Sequence, residues 1–175
     1  MKIPKQIQQI KEIGKSTKEK QSLISAGEAW QLWAILSERY SVLATSQVFL
    51  NYAKDNDFKL ILDFGIKIIK KEITTLEKTM LDYGVPLPER PAVDVNTAFQ
   101  PEIFTDKFIF ERLYIGIRDF LPTFQIAYIQ SGTEKIRDLF QKFLLSEIDI
   151  YDKLFTYYGK LKNWLPEPPR YQPLG

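Results

Sequence analysis

The stretch Lys59–Gly84, KLILDFGIKIIKKEITTLEKTMLDYG, decides the fold. Leu62, Ile66, Ile69, Ile73, Leu76, Met80 and Tyr83 recur at alternating intervals of four and three over three heptads. That spacing lines up one face of a helix and cannot be held by a strand, whose faces alternate every second residue. Gly84 is the natural stop, and Pro86 follows where a helix cannot continue. Asp57 is the expected cap at the start.

Toward the N-terminus, Lys54-Asp55-Asn56-Asp57 is a polar turn. Before it runs a helix opened by Ser25-Ala26-Gly27-Glu28, a capping box with Ile24 placed as its staple. Its expected seam is Trp33, Leu36, Tyr40, Leu43, Gln47 and Leu50. To about Ala53 this helix has about 27 residues and a length of roughly 40 Å. Ile3, Ile7, Ile10 and Ile13 suggest a short amphipathic helix from about Lys5 to Ile13, and Lys15 to Gln21 reads as a linker.

Toward the C-terminus, residues 85–104 break every pattern, with Pro86, Pro88, Pro91 and Pro101 forbidding a regular helix. A connection of this length needs a reason. Helices one and two share a tight turn and must be antiparallel. Helix three can run parallel to helix two only if the chain first travels the bundle's length, and 20 residues at about 3.3 Å each suffice. Helix three is expected from a Thr105 cap, through Phe110, Leu113, Ile117, Phe120, Phe124 and Ala127, to near Gly132. Pro122 lies inside it, so a kinked single helix or two shorter pieces are both open. Helix four, capped by Ser131 or Thr133, carries Phe140, Leu144, Glu147, Tyr151, Leu154 and Tyr158. The fold class is therefore all-α: a four-helix antiparallel bundle, ferritin-like, with one long crossover between helices two and three. Residues 1–24 form a basic N-terminal segment, 25–160 the bundle, and 161–175 a proline-rich extended tail.

Composition narrows the chemistry. Apolar residues make up 45 % of the 175, enough to bury one substantial core. The net charge of +2 is too small to suggest a nucleic-acid partner. Residues 1–20 hold six lysines against Glu12 and Glu19, a basic tip that can touch an acidic surface or simply be solvated. No apolar run reaches the roughly 20 residues of a membrane span, and no signal peptide is visible, so cytoplasmic synthesis is expected. The absence of cysteine excludes thiolate sites and disulfides. The absence of histidine excludes serine–histidine triads, zinc-protease helices and most di-iron sites. No catalytic group or cofactor motif stands out, so no enzyme activity and no cofactor are expected.

Two carboxylates are the candidate metal ligands. Glu147 falls on the apolar seam of helix four, between Leu144 and Tyr151, where a charge needs a partner. It can pair with Arg112 or Arg118, or accept from a core tyrosine or Gln47. It can also join Glu72, with Glu28 or Glu111, in a cage for calcium or magnesium. Bending of the helix to expose it is a third possibility. Glu72 flanks its seam, so a solvated rim position is expected for it. Neither Glu72-Ile73-Thr74-Thr75 nor Glu147-Ile148-Asp149-Ile150 supplies the histidine of the usual di-metal pair. Helix three is apolar nearly all round, which suggests burial under the crossover or in a homodimer interface.

Several short stretches resemble a known family. SAGEAWQLW at Ser25–Trp33, Gly84-Val85-Pro86-Leu87-Pro88, Phe104-Thr105-Asp106 leading to Arg112, Lys135–Phe140 and Trp164-Leu165-Pro166-Glu167-Pro168-Pro169 are similar, in that order, to proteins of spore-formers related to spore coat protein F. The resemblance spans most of residues 23–173. It implies a ferritin-like bundle, a spore-coat location, and self-association or other coat proteins as partners, with no established catalysis. Some relatives carry a histidine at the place of Glu72, and this departure weakens any metal role carried over to that residue.

Overall fold

The computed structural model describes residues 12–90, 102–154, 159 and 161–165, and no strand occurs among them. Among the described residues five helices follow in order: α1 Thr17–Gln21, α2 Ala26–Tyr52, α3 Asn56–Asp82, α4 Asp106–Gln130 and α5 Glu134–Lys153. None of the described helices is long and apolar enough to cross a membrane.

The helix starts obey local chemistry. Ser25 Oγ accepts from the Glu28 amide at 3.1 Å, and Glu28 Oε2 accepts from the Ser25 amide at 2.9 Å. That is the expected capping box. The same device at Ser16 and Glu19 makes a short helix, α1, out of the stretch expected to be a linker. Asp55, not Asp57, caps α3, accepting from the Phe58 amide at 3.0 Å. The cap moved because α3 begins at Asn56, earlier than an Asp57 cap implies, so the turn after Tyr52 has three residues and Asp57 falls in the first turn. Thr105 caps α4 as expected, through the Phe108 amide. Pro122 lies inside one continuous helix rather than between two pieces. The expected Lys5–Ile13 helix lies, up to residue 11, outside the described residues.

At the end of α3, Gly84 takes φ +67° and the Val85 amide donates to the Met80 carbonyl at 2.9 Å. This is the Schellman closure. A Cβ on Gly84 would also approach Thr17 Cγ2 to 3.2 Å. Gly84→Ala should therefore cost about 1–2 kcal/mol, read from urea denaturation.

Side-chain bonds fix the direction of each helix. Asp106, at the start of α4, accepts from the amides of Lys54 and Asp55 at 2.7 and 3.1 Å, at the end of α2. Glu28, at the start of α2, accepts from the Thr133 amide at 2.7 Å, just before α5. So α4 runs opposite to α2 and along α3, and the chain from Gly84 to Thr105 must travel the length of the helices. Residues 91–101 of that connection lie outside the described residues. α2 packs along α3, α4 along α5, and α2 also meets α4.

Glu28 thus serves two helices at once. One oxygen completes its own cap. The other satisfies the Thr133 amide, whose own side chain makes no cap bond. Burial alone would raise its pKa, but the bonds from Ser25 and Thr133 outweigh that and hold the carboxyl below the usual range. Glu28→Ala should cost about 2 kcal/mol, because a cap and an inter-helix bond go together.

The core is split. Leu32, Leu36, Tyr40, Leu76, Met80, Phe124 and Phe140 belong to one buried cluster. Phe49, Tyr52, Phe58, Leu62, Ile109, Phe110 and Leu154 belong to the other. Trp164 closes the second, its ring 5.6 Å from those of Phe58 and Phe110. Between the clusters lies a layer of buried polar groups.

Candidate functional site

The polar layer is built from three helices. Arg39 comes from α2, Glu72 from α3 and Glu147 from α5, and all three are buried, at 3 %, 5 % and 2 % exposure. Arg39 Nη2 donates to Glu147 Oε2 at 2.6 Å. Arg39 Nε lies 3.0 Å from Glu72 Oε2. The guanidinium also sits over the rings of Phe120 and Phe124, 4.2 and 4.9 Å from their centres. A planar, delocalised cation suits this place better than an ammonium, because it can face two carboxylates and two aromatic faces together.

The two contacts differ in kind. The Glu147 contact is a charge-assisted hydrogen bond. The Glu72 contact is close but not aligned for one: Arg39 Nε and both Glu72 oxygens have no hydrogen-bond partner among the described residues. Burial pushes the Glu72 carboxyl up to about 7, against the pull of Arg39 and with the Glu147 charge adding to the rise. Burial raises Glu147 too, with Arg39 opposing.

Three sequence expectations change here. Glu72 is not a solvated rim residue: α3 buries a face wide enough to include it, in register with Ile66, Ile69 and Leu76. Glu147 does not pair with Arg112 or Arg118; its partner is Arg39. The buried face of α2 is wider than the expected seam. Leu36 and Tyr40 are buried as expected, Leu32, Ile35, Arg39, Ser46 and Phe49 are buried beside them, and Trp33 is exposed. α2 meets both α3 and α4, so it needs a broader buried face than a single heptad stripe. The sequence did hold the signal for Arg39. It stands at intervals of three and four in line with Leu32, Ile35, Val42 and Phe49.

Glu28 and Glu111 do not join the two carboxylates. Glu28 is engaged at the bundle end, and among the described residues no three Asp or Glu side chains come together to hold a metal ion. Beside the triad opens a cavity of about 250 Å³, walled mainly by apolar side chains of α2, α3 and α4.

Comparison with known proteins places this architecture. A crystal structure from Bacillus halodurans C-125, described as a "putative spore coat protein", superposes with a TM-score of 0.78 at 26 % identity, covering 85 % of this chain and 96 % of that one. A Bacillus subtilis (strain 168) protein described as "Uncharacterized protein YvdQ" is 27 % identical over 147 residues, 82 % of this chain and 86 % of that protein. The family model described as "Protein of unknown function (DUF3231)" matches residues 12–173, and the chain belongs to that family.

Proposed function

We propose that this protein is a non-catalytic structural or interaction component of the spore coat, of the coat F-like kind, built on a ferritin-like bundle. The observation that carries the reading is the likeness to the Bacillus halodurans protein, which extends over nearly all of that chain. The interior supports it. A ferritin-like bundle commonly holds a di-metal carboxylate centre. Here a guanidinium stands between the two mid-bundle carboxylates, within 3.0 Å of each, and histidine is absent. Those residues do not fit a metal, because a fixed cation already occupies the position between the ligands. A buried Arg–carboxylate layer of this kind sets which helices pair and in what register, the service a scaffold needs.

The surface supports self-association. Trp30 and Trp33 stack at 5.7 Å and stay exposed at the start of α2. Ile126 and Ile129 are exposed near the end of α4, where Gln130 bonds Gln31 of α2. Exposed aromatic and aliphatic groups at one end suit contact with another copy or another coat protein. The test is fractionation of spores from the strain that carries the gene. Recovery in the extracted coat, with altered coat assembly or germination on deletion, is expected. Absence from the coat, with normal resistance and germination in the deletion strain, would sink the reading.

A further inference from the structure

The cavity beside the triad joins two features that the pairing of the helices leaves unexplained: bare carboxyl oxygens and open space inside regular helix. The first is Glu72, buried to 5 % exposure, lining the cavity, with neither carboxyl oxygen hydrogen-bonded among the described residues. The second is a pair of glycines inside regular helix, Gly65 on α3 and Gly116 on α4, which both line the same cavity. A Cβ at either would meet nothing within 4 Å. Glycine is disfavoured in helix interiors, and neither position has a packing reason for it. What the missing side chains leave is open volume.

Charge and lining define the occupant. The groups facing Glu72 are Arg39 from α2 and Glu147 from α5, with the exposed Arg112 of α4 at the rim. Two buried carboxylates therefore share one buried guanidinium, and that guanidinium gives its aligned hydrogen bond to Glu147. Glu72 is left to accept. The rest of the wall is mostly apolar, with Val42, Ile61, Ile69, Leu113 and Ile117, and the hydroxyl side chains of Ser41, Thr45 and Ser46 also line it. An inorganic cation such as calcium is held chiefly by carboxylates, and among the described residues no third carboxylate joins Glu72 and Glu147, whose charges already face Arg39. A cavity of about 250 Å³ holds a chain of six to eight carbons, since about 150 Å³ already takes benzene.

We propose that this cavity binds a small primary alkylamine, its ammonium donating to the Glu72 carboxylate and its apolar chain lying between α2, α3 and α4 past Gly65 and Gly116. The amine supplies the donors Glu72 lacks and the positive charge the layer is short of. This site is independent of the coat reading, and either can fail alone.

The probe is n-hexylamine, titrated calorimetrically into the full chain near pH 7.5, with n-hexanol, hexanoate and calcium as comparisons. Binding of hexylamine at one site per chain, tighter than hexanoate, is expected. Glu72→Gln should weaken hexylamine by about tenfold or more while leaving hexanol within about threefold. Gly116→Leu, which fills the cavity from its rim without touching the triad, should abolish both at unchanged helicity. No hexylamine binding up to about 10 mM, equal or tighter hexanoate binding, tighter calcium binding, or an unchanged hexylamine affinity in Glu72→Gln would each overturn the site.

Discussion

Arg39→Leu should lose about 3–5 kcal/mol of stability, as much as truncating a large core side chain, and about 10 °C or more in Tm. The substitution leaves two carboxylates buried at mid-bundle with no cation between them. Their only escape is to take up protons or to open the helices to water. Against a total stability of about 5–15 kcal/mol, the loss brings the fold near its threshold. The contrast is the triple variant Arg39→Leu, Glu72→Leu, Glu147→Leu. Replacing all three charges with apolar groups of similar size removes the desolvation penalty along with the attraction. It should therefore be neutral, or up to about 4 kcal/mol more stable than the native chain. Urea denaturation of the two variants separates a layer that adds stability from one that specifies pairing. A triple variant as unstable as Arg39→Leu would point to packing, not charge.

Glu72→Gln should change how stability depends on pH. The Glu72 carboxyl is held at about 7 in the folded chain, above the ordinary value of 4.5. Below the ordinary value both states are protonated and the residue contributes no difference. As pH rises toward 7, the unfolded chain ionises while the folded chain keeps its proton. Stability is lost across that window and stays lost above it. The loss from about pH 5 to pH 8 is about 2–3 kcal/mol for this residue. Glutamine cannot ionise. The stability of Glu72→Gln relative to the native chain should therefore rise by that amount over the same range, whatever its offset at pH 5. Parallel curves for the two proteins would show that the carboxyl is not desolvated as described. Glu147 is raised in the same direction and makes the native chain's decline steeper.

How much of this was legible in the sequence follows from which forces are local. The capping box at Ser25–Glu28 and the stop at Gly84 are set by neighbours a few residues away, so their reading from sequence holds. The members of the α3 stripe hold because they lie at the centre of the face that α3 buries, and only its margin, at Glu72 and Thr79, was missed. The α2 stripe held at Leu36 and Tyr40 but was too narrow, because α2 has two partners, and Arg39 falls outside a seam drawn at strict heptad spacing. Glu147 was conspicuous because a carboxylate interrupts a stripe of large apolar groups. Its partner was not, because the two lie 108 residues apart and meet only through the fold. Glu72 was misplaced for the same reason: its burial is caused by a cation on another helix. Arg112 and Arg118, the partners first expected for Glu147, are exposed on α4. The cavity had a faint signal in Gly65 and Gly116, two glycines inside otherwise strong helical stretches.

The most direct measurement is a double-mutant cycle between Arg39 and Glu147, using Arg39→Leu, Glu147→Gln and the pair, unfolded in urea at about pH 8. If the guanidinium and the carboxylate are bound to each other inside the bundle, the two losses overlap and the coupling energy is about 2–3 kcal/mol. Losses that simply add, to within about 0.5 kcal/mol, would mean the two side chains do not meet and the polar layer is not there.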